Sequence, residues 1–432
     1  MANGLRLRRK SCGMTGWGTL NHSIETGVVL TYEQALQTIR ERLAPARGHR
    51  PTELLPLEQA RGRVLAEDLT ADRDYPPFHR STRDGYAVRS GEVVAAPVWL
   101  ECVGEARAGQ PYLGDLRGRV RCCVQIMTGA PLPEGADAVV MIEHTRAQGD
   151  RVEAQRAVAA GENVVQKGSE APAGRVVLPR GRRLGAGEIG LLASVGRAQV
   201  CVFRQPTVAV LPTGDEVVPV EQEPEWFQIR NSNSLALAAQ VAAAGGVPRP
   251  LGIAPDDAPA LRRLIEQGLE ADLLLLSGGV SVGKYDFVAQ VLSEMGAELY
   301  FRGVAVRPGK PLAFGRVRDT FFFGLPGNPV STFVTFELFA RPAIALLSGA
   351  DFECPLFLRA RLGKPFRQKT GLTVFMPARA ELESGDPVVN LVSWQGSGDL
   401  VGVAAANCFL VVHPQQTELA AGDWVDVFPK PL

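Results

Sequence analysis

A chain of 432 residues is too long for a single hydrophobic core, so roughly two to four domains are expected. Its 46% apolar and 21% charged residues exclude a disordered or collagen-like polymer. Lys plus Arg balance Asp plus Glu at 46 each, which excludes an overall field that would gather nucleic acid or an anionic membrane. Any anion site must be built locally, for a small-molecule partner.

Seven cysteines (Cys12, Cys102, Cys122, Cys123, Cys201, Cys354, Cys408) are scattered without a C-x-x-C pair, which points to a reducing cytoplasm rather than a disulfide framework or zinc site. The five histidines (His22, His49, His79, His144, His413) lack metal-helix spacing. The basic residues 1–10 are followed by a polar, Gly-rich stretch without the apolar region of a signal peptide, and no apolar run is read as reaching the ~18 residues of a membrane span.

Residues 1–29 show no periodicity and are expected to be a disordered extension. Thr31 is placed to cap a helix burying Ala35, Leu36, Ile39 and Leu43, and a second amphipathic stretch follows over 57–65. Over 98–140, short alternating runs broken by Gly and Pro predict a small β-rich domain, bounded at 72 and 168. Mixed character returns over 172–202, with a short helix at 187–194 stopped by Gly196. The segments 30–71 and 169–204 are expected to form one discontinuous domain.

The most regular part follows, as an α/β domain over 205–351. Strands are predicted at 207–211, 247–253, 271–276, 297–306, 312–317 and 320–324. Helices fall at 234–244, 257–269, 287–295 and 329–347. Strands alternating with helices of this length mean a parallel sheet with crossover helices. Residues 352–432 read as short β runs, forming a small barrel or sandwich.

In an open parallel sheet, ligands bind beyond the carboxyl ends of the strands, where loop amides and helix N-termini converge. Thr213-Gly214-Asp215-Glu216 follows the first strand, and Ser277-Gly278-Gly279-Val280-Ser281-Val282-Gly283 follows the third. Either Gly-rich turn alone could merely end a strand, but two in one sheet suit close backbone approach to an oxygen-rich ligand. Residues 278–284 satisfy G-x-x-x-x-G-K, yet Tyr285 stands where a P-loop needs Ser or Thr. The dinucleotide fingerprint is likewise missing, which excludes hydride transfer.

Carboxylates gather at the same edge: Asp215, Glu216, Asp256, Asp257 and Asp286, a set suited to magnesium with substrate phosphates. Asp256 and Asp257 have helix capping as an alternative, so Asp215, Glu216 and Asp286 are the favoured ligands. Arg307-Pro308-Gly309-Lys310-Pro311 sets two cations on a stiff backbone for an oxyanion. Pro326-Gly327-Asn328-Pro329 enters a helix with Asn at the cap and Pro in the first turn, offering amide N–H groups to an anion.

Together these stretches, with Gly324-Leu-Pro-Gly-Asn-Pro-Val-Ser331, resemble the molybdopterin molybdenumtransferase (MoeA/gephyrin) family. The likeness extends to Pro76-Pro77-Phe78, Asp84-Gly-Tyr-Ala87, Ile126-Met-Thr-Gly-Ala-Pro-Leu-Pro133, Gln395-Gly-Ser-Gly398 and Ala406-Asn407. The fold this implies is α/β multidomain: a central three-layer MogA-like domain, a small β-rich domain, a discontinuous linker and dimerisation domain, and a C-terminal β-barrel. The implied reaction inserts molybdate into adenylylated molybdopterin with release of AMP and Mg2+ as cofactor, in a homodimer with a shared cleft. Possible protein partners are the molybdopterin adenylyltransferase and apo-molybdoenzymes. The resemblance assigns Asp215, Glu216 and Asp286 to magnesium and pyrophosphate, and Thr213, Gly214 and Ser277 to Gly279 with Ser281 to phosphate. Arg307, Lys310, Pro311, Pro326, Gly327, Asn328, Ser331 and Ser397 then face molybdate or the pterin phosphate, while Asp84 and Thr128 come from the partner subunit.

The chain departs from the family pattern in places. His79 and Arg80 replace an Asp-Asn pair, Gly168-Ser169-Glu170 keeps one acid of a Gly-Glu-Asp turn, Val165-Gln166 replaces an Arg pair, and Pro377 stands for an Arg, with Arg379 two places on. Two alternatives follow: a paralogue that binds molybdopterin or an oxyanion with little turnover, and one that handles tungstate.

Overall fold

The computed structural model describes residues 29–279, 287–368 and 371–431. Its first helix, Tyr32–Leu43, starts where a capping box fixes it: the Thr31 hydroxyl accepts from the Gln34 amide at 3.2 Å while the Gln34 side chain accepts from the Thr31 amide at 2.9 Å. Its apolar stripe (Ala35, Leu36, Ile39, Leu43) packs against the α/β domain, sharing a core with Phe339 and Ile344.

The amphipathic stretch over 57–65 is a single 3-10 turn at Leu57–Gln59 followed by isolated bridges from Val64 to Arg183 and from Leu65 to Val202. Leu57, Ala60 and Leu65 bury their side chains from irregular backbone, so their spacing marks a core face without a helix. Thr52–Pro56 pairs antiparallel with Gln199–Phe203, and Leu69–Thr70 with Val176–Leu178, so chain on either side of the β-rich insertion forms common ladders.

Within the insertion, six strands run in the order Ala138–Met141, Gly85–Val88, Cys122–Ile126, Val98–Ala106, Arg151–Ala154, Thr145–Gln148. Only Val98–Ala106 and Cys122–Ile126 run parallel; the other neighbours are antiparallel.

The central sheet has the order Val247–Pro250, Thr207–Pro212, Leu273–Ser277, Thr320–Leu325, Ala313–Val317, Glu298–Arg302. Its first four strands are parallel, Ala313–Val317 runs against them and Glu298–Arg302 antiparallel to that strand, a mixed sheet rather than the all-parallel one expected. Leu273–Ser277 is buried at every position, as a central strand covered on both faces must be. Val247–Pro250 is the edge, where Pro248 and Pro250 cost no ladder bond. It is shorter than the strand expected over 247–253.

The run over 297–306 also divides. Glu298–Arg302 stays in the sheet, Gly303 breaks it at φ +103°, and Val306–Arg307 pairs instead with Thr373–Val374 of the C-terminal region. Arg307 is thereby carried from the sheet edge to the junction with the next domain.

The long helix over 329–347 is interrupted: Pro329–Thr335 and Arg341–Leu347 are α-helical, with a π segment at Phe336–Ala340. Pro342 supplies a cause, since it has no amide to continue the i→i−4 ladder. Inside the π segment Glu337 is 1% exposed and accepts from the Gln240 side chain at 2.7 Å, while Arg341 pairs with its other oxygen. Contrary to expectation, Pro329–Leu347 is long and apolar enough by composition to span a membrane, but 89% of the window is buried inside the protein, as for a core helix.

Beyond it, Thr373–Glu383, Asp386–Leu391, Leu358–Leu362, Trp424–Pro429 and Cys408–Val412 pair in turn, and the last returns to the first. The result is a five-stranded closed barrel, which leaves no open edge among those strands.

Candidate active site

Above the carboxyl ends of the parallel strands lies a cleft of about 1230 Å³, walled by the α/β domain and by residues 394–398 of the barrel region. Thr213, Gly214, Glu216, Ser277, Gly278, Gly279, Arg307, Lys310, Pro311, Pro326, Gly327, Asn328, Ser331 and Ser397 all line it. Motifs spread over nearly two hundred residues thus converge because three strand ends and one interdomain turn open on the same side.

The glycines have local reasons. Gly278 and Gly279 have φ of +97° and +62°, and a Cβ would come within 2.8 Å of the Thr213 carbonyl at Gly278 and 2.6 Å of Val288 at Gly279. Gly309, at φ +113°, leaves no room for a side chain against Thr335, which lets the Arg307–Lys310 turn lie flat on the Pro329–Thr335 helix.

Two helix starts feed the site. Asn231 caps Ser232–Ala243, accepting from the Ser234 amide at 3.1 Å. Asn233, the second residue of that helix, donates to Ser277 Oγ at 2.9 Å and to the Gly327 carbonyl at 2.8 Å, binding two strand ends to one helix. Sequence reasoning missed Asn231, Ser232 and Asn233; the signal was an Asn-Ser-Asn-Ser run just before an apolar helix.

The helix start at Asn328 differs from expectation. Asn328 makes no side-chain cap; it donates to Ser397 Oγ at 2.9 Å, and the Val330 amide donates to the Ser397 carbonyl at 2.9 Å. One amide predicted for an anion is therefore taken by the barrel region, and Ser397 locks two domains together across the cleft floor.

The acidic set is also rearranged. Asp215 does not line the cleft; its Oδ1 accepts from the Asp256 amide at 3.0 Å. Asp257 caps Ala258–Gly268, accepting from the Ala260 amide at 2.8 Å. Asp256, weighed at first as a helix cap, is in the lining with Glu216. Partial desolvation, then the negative charges of Asp215 and Glu216, hold the Asp256 carboxyl above the usual range. Ser281 and Asp286 lie outside the described residues. Among the described residues no three His, Cys, Asp or Glu side chains form a group able to hold a metal ion.

Thr213 Oγ1 and Trp394 Nε1 are buried without a hydrogen-bond partner among the described residues, and both residues are in the lining. Trp394, missed in the sequence, is the one aromatic side chain among the lining residues. Its neighbour is Gly402, where a Cβ would meet its ring at 3.1 Å.

Asp84 and Thr128 sit in turns beside strands of the β-rich domain and do not line the cleft of their own chain. The Asp84 Oδ1 accepts from the Thr128 amide at 2.6 Å and hydroxyl at 2.8 Å, which holds its carboxyl below the ordinary range. Close by in sequence, Arg80 pairs with Glu170 at 3.1 Å and His79 Nδ1 accepts from the Lys167 amide at 3.2 Å. Pro377 is buried within a barrel strand opposite Phe409, and Arg379 pairs with Glu381 at 2.6 Å; neither lines the cleft.

The cleft is thus a strand-end site of an α/β domain, closed by a separate β-barrel. Residues 30–196 match the MoeA N-terminal region (domains I and II), 209–346 a probable molybdopterin binding domain, and 359–430 the MoeA C-terminal region (domain IV). Molybdopterin molybdenumtransferases from Staphylococcus aureus, Bacillus subtilis and a Nostoc strain are 33%, 36% and 37% identical, over 90%, 84% and 88% of this chain and 93%, 86% and 89% of theirs. The crystal structure of a molybdopterin biosynthesis MoeA protein from Pyrococcus horikoshii superimposes with a TM-score of 0.75 at 28% identity, covering 93% of this chain and all of that one. A second structure of a MoeA protein from that organism gives 0.69 at 32% identity, over 93% of this chain and 99% of its own. The chain belongs to the molybdopterin molybdenumtransferase family. It is a transferase acting on a small-molecule molybdopterin substrate.

Proposed function

We propose that the enzyme takes adenylylated molybdopterin and molybdate, places molybdenum on the dithiolene sulfurs and releases AMP in a magnesium-dependent step. The observation that carries this reading is the opposition of charges across one cleft. Cations Arg307 and Lys310 and the Gly278–Gly279 turn line it together with the carboxylates Glu216 and Asp256.

The roles divide by chemistry. The Thr213, Gly214 and Gly278 amides already donate to the carbonyls of Ser277, Ala254 and Leu325, so phosphate oxygens are assigned to the Thr213 hydroxyl, buried without a partner among the described residues, and to the positive-φ Gly279 turn. Arg307 and Lys310 hold the molybdate oxyanion or the pterin phosphate, with Ser331 and Ser397 orienting it. Glu216 and Asp256, with Asp286, would hold Mg2+, since desolvation and then the charges of Asp215 and Glu216 raise the Asp256 carboxyl and a divalent cation relieves it. Mg2+ when bound supplies charge neutralisation on the phosphate as the anhydride breaks. No side chain needs to become a covalent nucleophile.

Asp84 and Thr128 stand apart from the cleft of their own chain, which supports a homodimer in which a second copy supplies them. The test is single-turnover AMP release from adenylylated molybdopterin with molybdate or tungstate, followed by activation of an apo-molybdoenzyme. Tight binding without AMP release would overturn the transferase chemistry in favour of a carrier. Faster release with tungstate would reassign the oxyanion, and unchanged release from Asp286→Ala would remove that residue from the metal site.

A further inference from the structure

Away from the cleft, the β-rich sheet carries three cysteines that the reaction does not use. Cys102 on Val98–Ala106 and Cys123 on Cys122–Ile126 are direct partners in the only parallel pairing of that sheet. Directly opposed residues on adjacent strands project to the same face. Both belong to one core cluster, Cys123 fully buried and Cys102 packed at its margin and partly exposed. Cys122, one residue earlier, faces the opposite cluster. Adjacent strands lie about 4.8 Å apart, inside the roughly 4.4–6.8 Å between Cα atoms that a disulfide spans. Pairing breaks just after Cys102, where the register shifts before Glu105, so the backbone there is the least constrained of the ladder.

We propose that Cys102 and Cys123 form a thiol modification site that reacts with a hydroperoxide and closes to a disulfide. The Cys102 thiolate attacks a peroxide oxygen: an S–O bond forms, the O–O bond breaks, and the departing oxygen takes a proton and leaves as water or alcohol. Cys123 sulfur then attacks the Cys102 sulfenic acid as its own proton is lost; the S–S bond forms, the S–O bond breaks and water leaves. The two sulfurs lose two electrons in all and the peroxide gains them.

The local chemistry suits these roles. Hydrogen bonding from the Cys123 thiol, opposed by burial, holds the Cys102 thiol at about 6. The same bond and burial push the Cys123 thiol well up, so one sulfur is the nucleophile and the other keeps its proton until the second step. Exposure agrees, since the thiolate is assigned to the cysteine that solvent reaches.

The test treats reduced, desalted protein with hydrogen peroxide and reads intact mass, then maps peptides without reduction. A mass loss of two hydrogens, a 102–123 linked peptide that excludes Cys122, and reversal by dithiothreitol are expected. Cys123→Ser should stop at a sulfenic acid on Cys102 that dimedone traps. Sulfinic acid on Cys102 with Cys123 unmodified, or unchanged mass, would overturn the proposal. The wild-type mapping decides even where a variant fails to fold.

Discussion

Asp215 and Asp256 stand at neighbouring strand ends, and only Asp256 faces the cleft. Substitution at this edge should separate them. Asp256→Asn and Glu216→Gln are each expected to slow AMP release by at least about tenfold, or ~1.4 kcal/mol of barrier, and to abolish stabilisation by Mg2+ in thermal melts. Asp215→Asn should change little, because an amide oxygen can still accept from the Asp256 N–H. Equal loss in all three variants would mean the carboxylates act as one field rather than as separate ligands. Asp257 was readable as a cap from its place before a helix, while the facing of Asp256 was not. Both are Asp before the same helix, and only the backbone direction at the strand end distinguishes them.

Between residues 394 and 405 a short element decides how the barrel meets the α/β domain. Asp399 caps the Leu400–Ala405 helix and also accepts from the Gln395 amide at 2.9 Å, so one carboxylate fixes both sides of the turn that carries Ser397. The Gly402 amide, then that of Gln395, hold its carboxyl below the usual range. A carboxyl lowered on folding contributes stability that is present above its unfolded value, about pH 4, and lost as pH falls through the folded value. The melting gap between wild type and Asp399→Ala should therefore be full at neutral pH and shrink below about pH 4; a gap constant down to pH ~3 would contradict the cap. In the π segment, Glu337→Ala leaves the Gln240 amide and Arg341 without their buried acceptor. It should destabilise by about 1–3 kcal/mol in denaturant titrations, with Gln at 337 recovering part. The 3.6-residue period foretold a helix there, but the change of hydrogen-bond pitch depends on Pro342 and on packing against Ser232–Ala243.

At the level of the whole molecule, the separation of Asp84 from the cleft makes a prediction about assembly. Co-expressed Asp84→Ala and Glu216→Gln chains, each nearly inactive alone, should recover about a quarter of wild-type AMP release. Half of the dimers are then mixed and each mixed dimer holds one intact cleft. No recovery from purified mixed dimers would place both residues in one chain's function. The multidomain α/β class, the Gly-rich turns and the paired cations were legible because each is a local signal: periodicity, punctuation, or charges a few residues apart. The division of the 297–306 run was not, since Gly303 alone does not announce that Val306 will leave its sheet for a barrel strand nearly seventy residues on. Nor could sequence show that Ser397 caps the helix it was expected to leave open, or that Arg80 pairs with Glu170 across ninety residues. By itself the sequence determined most of the elements and marked the Gly-rich turns and paired cations as candidates, because propensity, capping and backbone freedom act over a few residues. Which of those residues face one another was decided only by the tertiary structure, because register, strand order and domain contact are set by burial between segments far apart in the chain.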